Sequence, residues 1–167
     1  MRRHAGSGRH LTVRALTPER VDEAYPVVRA AMPTLSLRRW REFARRALAH
    51  SGEGAPSGIL LVESARGYIH GLCAFHVQHD LRHGPVLAID ELVTLDLVDT
   101  APAAAALMAA LEARARDLGC AAVRSHVPET APMRSGGAAL RQLLERCGHS
   151  IEGTLLLKPV DPGWQRV

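Results

Sequence analysis

The amino-acid sequence predicts an α/β protein, in which one mixed sheet carries helices on both faces. Two observations support this prediction. Three short apolar segments follow one another between residues 59 and 97 with only brief turns between them, and this pattern indicates an antiparallel meander. Residues 86–127 then alternate strand, helix and strand, and such a connection returns to the sheet as a right-handed parallel crossover.

The length and composition fit one globular domain. The chain has 167 residues, which is enough for a sizeable core, and its 47% hydrophobic and 23% charged residues are ordinary for a globular protein. The first ten residues are basic, and no apolar stretch follows them as it would in a secretory signal. We therefore expect a disordered basic arm over residues 1–10, a single domain over residues 11–160 and a C-terminal tail over residues 161–167.

The first part of the domain predicts one strand and two helices. Residues 11–16 alternate like a half-buried strand. Thr17 and Pro18 predict the start of the first helix, and Pro33 marks its end. Ser36 is the expected N-cap of the second helix. The apolar face of that second helix consists of Leu37, Trp40, Phe43, Ala44, Ala47 and Leu48.

The remaining elements follow from apolar runs and turn signals. Gly71 interrupts one apolar run and marks a bulge or a close approach of two backbones. Gly119 is the expected end of the helix in the crossover. The predicted strands cover residues 59–63, 68–78, 86–97, 121–127 and 154–160, and the predicted helices cover residues 101–118 and 134–148. The predicted order is therefore β-α-α-β-β-β-α-β-α-β.

Charge and hydropathy exclude two classes of partner. The net charge of +4 would suit a polyanion, but aromatic residues are only 4% of the chain and no recognition helix or stacking motif is visible. We read the arginines of the second helix as a solvated face and expect no nucleic-acid partner; they are Arg38, Arg39, Arg41, Arg45 and Arg46. No apolar run approaches the roughly 20 residues of a membrane span, so we expect no membrane partner.

Cysteines and histidines are the residue types that form disulfide bridges and bind metal ions. Cys73, Cys120 and Cys147 have the spacing of neither a disulfide framework nor a zinc site, and a reduced cytoplasmic protein is the simplest interpretation. His76, His79 and His83 would share one face of a helix, as metal ligands often do; but they lie where a strand runs into a turn, so we expect no metal site. The open alternatives are a histidine at the mouth of a substrate cleft and exposed turn histidines.

Two segments resemble a known family. "ELVTLDLVDTAPAAAALMAALEARARDLGC" (residues 91–120) resembles the central segment of the GNAT superfamily of acetyl-CoA-dependent N-acyltransferases, in which an acidic residue and an apolar strand precede a helix ending in Ala-Arg-x-x-Gly-Cys. "LLERCGHSIEGTLLLKP" (residues 143–159) is similar to the family's closing segment, Phe-Tyr-Glu-Lys-x-Gly-Phe and a final strand. The resemblance covers nearly the whole chain after the arm. It implies an N-acetyltransferase that moves an acetyl group from acetyl-CoA, as the acyl donor, to a primary amine by direct attack.

The resemblance also implies where acetyl-CoA binds. In the family the fourth strand diverges from the fifth, and pantetheine pairs with the strand backbone in the gap between them. The pyrophosphate binds the amides of a Gln/Arg-x-x-Gly-x-Gly/Ala loop at a helix N-terminus, where unpaired N–H groups favour an anion. By position, the pantetheine contacts fall on the amides of Leu92, Val93 and Thr94. The pyrophosphate contacts fall on the amides of Thr100, Ala101, Ala103 and Ala104.

The phosphate loop departs from the family pattern. Its Arg or Gln falls on Asp99, which repels phosphate, and its first Gly falls on Pro102, which has no N–H to donate. Only Ala104 is permitted by the pattern. The same residues equally fit a purely structural role, with Thr100 as a cap, Pro102 in the first turn and alanines in a tight helix–sheet contact. The sequence therefore predicts a degenerate phosphate loop.

The resemblance implies one catalytic residue and leaves another without a match. Glu91 stands where the family often has its general base, and we expect Asp90 to point away from the cleft because neighbours on a strand face opposite sides. The family's usual acid, a Tyr, falls on Leu144, which cannot donate a proton, while Cys147 one turn later is a weak donor and more typically a packing residue.

Two functions of different classes therefore remain open. The first is an N-acetyltransferase acting on a small-molecule or peptide amine. The second is a non-catalytic GNAT-like binding or regulatory protein that has lost acetyl-CoA binding. For either function, the edge strand of the sheet makes a homodimer possible.

Overall fold

The structure is a computed structural model, and it describes residues 10–50, 52, 54–95, 101–127 and 136–160. Five strands form one sheet in the order β1-β2-β3-β4-β5. The strands are β1 (Leu11–Ala15), β2 (Ser57–Ser64), β3 (Ile69–Asp80), β4 (Gly84–Thr94) and β5 (Ala122–Ser125). The helices are α1 (Val21–Ala31), α2 (Leu37–Ala47), α3 (Ala101–Asp117) and α4 (Gly136–Arg146), with a 3₁₀ turn at Pro18–Arg20 before α1.

The strand pairing confirms the predicted mixed sheet. Strands β1 to β4 pair antiparallel, and β4 pairs with β5 in parallel. The parallel pair is joined by α3, so the crossover predicted from residues 86–127 is present. The element order matches the prediction from the first strand to the last helix.

Helices cover both faces of the sheet, and each face has its own core. On one face, α1 and α2 place Val28, Trp40 and Ala44 against Leu61 and Leu72 of the sheet. The second core lies on the other face, under α3 and α4; it includes Phe75, Leu87, Ile89, Ala103, Ala104, Leu107, Met108, Leu111, Leu143 and Leu144. Burial on both faces explains why β2, β3 and β4 contain nearly continuous apolar runs.

Local signals fix most helix ends. The Ser36 hydroxyl accepts a hydrogen bond from the Arg39 N–H at 3.3 Å, as an N-cap should. Thr17 makes no capping bond with its side chain, because Pro18 opens a 3₁₀ turn before α1 begins. Gly119 and Gly148 end α3 and α4 in the left-handed region, with φ of +68° and +87°.

The predicted closing strand at residues 154–160 is not formed. Residues 151–160 have no regular secondary structure, and all of them are exposed. A strand requires a hydrogen-bonded neighbour, and in the described part of the chain no strand pairs with this segment. The C-terminal tail and all but the last residue of the basic arm lie outside the described residues.

No helix within residues 10–50, 54–95, 101–127 and 136–160 is both long and apolar enough to cross a bilayer.

Candidate active site

The two parallel strands of the sheet separate halfway along β4. The β4–β5 register runs from Val86 opposite Ala122 to Ile89 opposite Ser125, and it stops there. Strand β4 continues to Thr94, and in this stretch it pairs only with β3. Within the described residues, the other edge of β4 from 90 to 94 therefore faces an open gap.

The hydrogen-bond ladder shows which backbone groups face this gap. The Leu95 N–H donates to the His70 carbonyl of β3 at 2.7 Å. The N–H groups of consecutive strand residues point alternately to the two sides of the strand. The N–H of Val93, two residues before Leu95, therefore also points towards β3. Of the three amides predicted to bind pantetheine, those of Leu92 and Thr94 are left facing the gap. The Val93 N–H is therefore directed to β3 rather than to the gap, where the resemblance had assigned it a pantetheine contact.

A close approach of two backbones lies next to the gap. Gly71 of β3 stands opposite Thr94. A Cβ atom at Gly71 would lie 2.6 Å from the Val93 carbonyl oxygen and 2.9 Å from the Thr94 Cγ2. Only glycine allows β3 and β4 to approach this closely, which confirms the close approach expected from the sequence.

A β-bulge changes the direction of one side chain in β4. Ala74 pairs with Glu91 and Phe75 pairs with Ile89. Asp90 is therefore an extra residue that no residue of β3 faces in the backbone pairing. Ile89 and Leu92 both contact the core under α3 and α4. The two residues between them therefore both lie on the α1 and α2 side. The expectation that Asp90 and Glu91 face opposite ways is wrong, because the bulge interrupts the alternation.

The two carboxylates form a small polar cluster with a histidine. His76 Nδ1 lies 3.0 Å from the Asp90 carboxylate, and both side chains are partly exposed. Glu91 has access to solvent, yet the surrounding protein withdraws water from its carboxylate and raises its pKa; the negative charge of Asp90 raises that pKa further. A carboxylate with a raised pKa and access to solvent suits a general base.

The first turn of α3 contains part of the predicted phosphate site. The first N–H groups of a helix have no partner within it, and here they belong to Ala101, Ala103 and Ala104, since Pro102 has none. The methyl groups of Ala103 and Ala104 are buried in the core, so their amides are held firmly at the helix start. Thr100 and Asp99 lie outside the described residues.

On the α4 side of the sheet, the family's acid position is occupied by a core residue. Leu144 is 4% exposed and packs in the core under α3 and α4, and Cys147 packs against the same core. Neither side chain faces the gap as a proton donor. Another polar pair lies nearby: the Ser125 Oγ and the His149 Nε2 are 3.1 Å apart.

The end of α4 explains how His149 reaches Ser125. The Gly148 N–H donates to the Glu145 carbonyl at 3.0 Å, and the His149 N–H donates to the Leu144 carbonyl at 2.9 Å. These two bonds form a Schellman motif, which turns the chain sharply after the helix. This pair was not predictable from the sequence, because its members are 24 positions apart. Near His149, only the glycine after α4 indicates locally that the chain turns.

His83 lies in a group of charged side chains at the start of β4. His83 contacts Glu152, and Glu152 also lies 3.4 Å from Arg124. Arg124 pairs with Asp80 at 2.7 Å and lowers the pKa of that carboxyl to about 2, with help from the N–H groups of the following turn. Among the described residues, no group of three potential ligands is arranged to hold a metal ion.

The arginine-rich face of α2 is engaged in surface ion pairs. Arg41 binds Asp22 of α1 through two contacts of 2.8 and 2.6 Å, and Arg38 lies 3.4 Å from Glu42. All four of these side chains are exposed or nearly so. The face is thus a solvated one, in agreement with the interpretation from the sequence.

Several solved structures have the same fold. An aminoglycoside N-acetyltransferase, AAC(6')-Iy, in complex with CoA matches with a TM-score of 0.75 and 13% identity, over 93% of this chain and 99% of that protein. A glucosamine-6-phosphate N-acetyltransferase from Arabidopsis thaliana matches with a TM-score of 0.66 and 13% identity, over 90% and 99%. A transcriptional regulator from Bacillus halodurans matches with a TM-score of 0.70 and 16% identity, over 90% and 99%.

The comparison identifies the fold. The sheet and helices have the same fold as these N-acetyltransferase structures, which is the fold that the resemblance to the GNAT superfamily implied. No family model matches the sequence, and no curated protein matches it significantly.

Proposed function

We propose that this protein is an N-acetyltransferase that moves an acetyl group from acetyl-CoA to a primary amine. One observation carries the proposal: the open edge of β4 lies beside a bulge that presents two carboxylates on one face. An extended acyl donor can pair with this edge while an amine approaches Glu91. The enzymes of the same fold that act on an aminoglycoside and on glucosamine-6-phosphate support the same reaction class.

Backbone groups hold the donor in this proposal. The amides of Leu92 and Thr94 face the gap and suit the amide-bearing chain of pantetheine. The amides of Ala101, Ala103 and Ala104 at the start of α3, and that of Thr100 before it, suit the pyrophosphate. Because Pro102 has no N–H, one contact is absent, and a single missing hydrogen bond costs about 1–3 kcal/mol. Such a loss weakens binding without abolishing it.

Glu91 acts as the base. The amine nitrogen attacks the carbonyl carbon of the thioester, Glu91 takes the proton that the nitrogen loses, directly or through water, and the carbon–sulfur bond breaks to release the thiolate of CoA. The raised pKa of Glu91 brings its basicity closer to that of the amine, which favours proton transfer near neutral pH. The negative charges of Asp90 and Glu91 also attract a protonated amine, which loses one proton to solvent before the neutral nitrogen attacks.

The leaving thiolate needs a proton, and the Ser125–His149 pair is positioned to supply it. Ser125 ends β5 at the point where the two strands separate, and His149 lies behind it at 3.1 Å. The hydroxyl donates its proton to the sulfur and regains one from the imidazole. This assignment gives the reaction an acid on the α4 side, where Leu144 cannot act.

The acceptor is a small-molecule or peptide amine. It approaches from the face covered by α1 and α2, since Asp90 and Glu91 lie on that face. His76 stands beside Asp90 at the same opening and is partly exposed, so it suits a hydroxyl or carboxylate of the acceptor. The three free cysteines fit a reducing compartment, and we place the reaction in the cytoplasm.

Calorimetric titration with acetyl-CoA tests the proposal, with CoA and desulfo-CoA as controls. We expect micromolar binding, followed by turnover in a screen of amines. A double variant, Asp99→Arg with Pro102→Gly, should bind CoA more tightly, because it replaces a repelling carboxylate and adds an N–H. If no binding is seen up to millimolar acetyl-CoA, the proposed N-acetyltransferase activity is rejected.

The alternative is a non-catalytic binding or regulatory protein. One observation favours it: the family's acid position, Leu144, is part of the core. The regulator from Bacillus halodurans has the same fold. This alternative has lost acetyl-CoA binding, so no binding up to millimolar acetyl-CoA is the result expected of it.

A further inference from the structure

Residues 149–152, which follow α4, contact both faces of β5. Val123 of β5 packs against the core under α3 and α4. Because strand side chains alternate, Ser125 points to that same face and Arg124 points to the other. His149 bonds to Ser125 on the first face. Glu152 lies 3.4 Å from Arg124 on the second face, so the chain passes round β5 between these two residues.

An imidazole and a guanidinium hold the carboxylate of Glu152. Its Oε1 contacts the His83 ring, and its Oε2 faces Arg124. The hydrogen bond with His83 and the positive charge of Arg124 lower the pKa of Glu152, so the carboxyl group is ionised at neutral pH. The contact on the second face is therefore an attraction between charges.

Arg124 has a fixed position because it also binds the turn between β3 and β4. Its guanidinium lies 2.7 Å from the Asp80 carboxylate. Asp80 accepts hydrogen bonds from the N–H groups of Arg82 at 2.8 Å and His83 at 3.1 Å, which hold it in the turn. Glu152 thus binds a connected group of charges on the sheet, and surface ion pairs contribute more in such networks than as isolated pairs.

The path of the chain after His149 depends on side-chain contacts. Residues 151–160 are exposed and have no regular secondary structure. The bonds at the end of α4 fix the backbone of His149, whereas the contact of Glu152 keeps the chain from swinging away from β5. We propose that Glu152 is a positioning residue, which keeps His149 against Ser125 by binding the charged group on the opposite face of β5. This role rests on the proposed function, in which the Ser125–His149 pair supplies a proton to the leaving thiolate.

A double-mutant cycle in the full chain tests this role. Glu152→Gln should lower kcat by about 3- to 10-fold, as expected for loss of an exposed charge network, while the dissociation constant for acetyl-CoA stays close to that of the wild type. In a His149→Gln background the same substitution should have no further effect on kcat, because the group that it positions is already absent. Glu42→Gln is the matched control, since it breaks another exposed ion pair of 3.4 Å, and it should leave kcat unchanged. A wild-type kcat in Glu152→Gln, or the same loss in both backgrounds, would overturn the positioning role.

NMR of the imidazole separates this role from the proposed reaction. The ring nitrogen signals of His149, assigned by comparison with His149→Gln, report its contact with Ser125 in the absence of substrates. In Glu152→Gln these signals should move towards those of Ser125→Ala, in which the contact is absent. Unchanged signals in Glu152→Gln would overturn the positioning role. If the wild type acetylates no amine, the proposed function fails, whereas the NMR signals still decide whether Glu152 holds His149.

Discussion

The Nδ1 atom of His76 lies 3.0 Å from the carboxylate of Asp90, across the point where β4 has one residue more than β3. The extra residue brings the charge of Asp90 to the same face as Glu91. Because that charge helps to raise the pKa of Glu91, the bulge contributes to the basicity of the candidate active site as well as to its shape.

Asp90→Asn should shift the pH dependence of acetyl transfer. Removal of the negative charge lowers the pKa of Glu91, so the base remains deprotonated at lower pH. The acid limb of the kcat/KM profile should therefore move to lower pH, which a pH series on both proteins measures. An acid limb at the same pH in both proteins would mean that Glu91 is not the group that titrates.

Glu91→Gln should lower kcat by roughly 10²- to 10⁴-fold, the range expected for loss of a general base. The amide has the same shape, and Glu91 is exposed, so the free energy of unfolding should change little. Steady-state kinetics and urea unfolding measure the two effects. Glu112→Gln, on the surface of α3, is the control and should leave kcat unchanged. Equal turnover in both variants would remove Glu91 from the mechanism.

His149→Gln should lower kcat while the dissociation constant for acetyl-CoA stays close to that of the wild type. The substitution removes the group that resupplies the Ser125 hydroxyl with a proton, but it leaves the backbone contacts of the donor in place. Kinetics combined with calorimetry separate the two quantities. His50→Gln, on an exposed residue after α2, should change neither of them. A wild-type kcat in His149→Gln would exclude the pair as the acid.

Gly71→Ala should destabilise the protein by about 1–3 kcal/mol, as overpacking does in a close-packed interior. The new methyl group would meet the Val93 carbonyl oxygen at 2.6 Å, so β3 and β4 must move apart. Urea unfolding measures the change. Gly153→Ala is the control, since a Cβ there has nothing within 4 Å and the expected change is within about 0.5 kcal/mol. Equal stability of the two variants would show that the strands adjust freely.

Local sequence signals predicted most of the fold. Ser36 and Gly119 mark helix ends through hydrogen bonds to residues within one turn. The strand–helix–strand run by itself predicts a right-handed parallel crossover. The bulge was not predictable, because it depends on how β3 and β4 align rather than on any residue near Asp90. The contact between Ser125 and His149 likewise joins two elements that are separate in sequence. The closing strand at residues 154–160 was predicted from an apolar run and from the family resemblance, and neither of these supplies a hydrogen-bonded partner strand.

The bulge also bears on how such a site withstands evolutionary change. The direction of Asp90 depends on the number of residues in β4 and not on the chemistry of its neighbours. Point substitutions along the strand therefore leave the orientation of the two carboxylates intact. Deletion of the Asp90 codon would restore regular pairing and remove one of the two carboxylates. The geometry of the two carboxylates thus tolerates substitutions in the residues around them as long as the length of β4 stays the same.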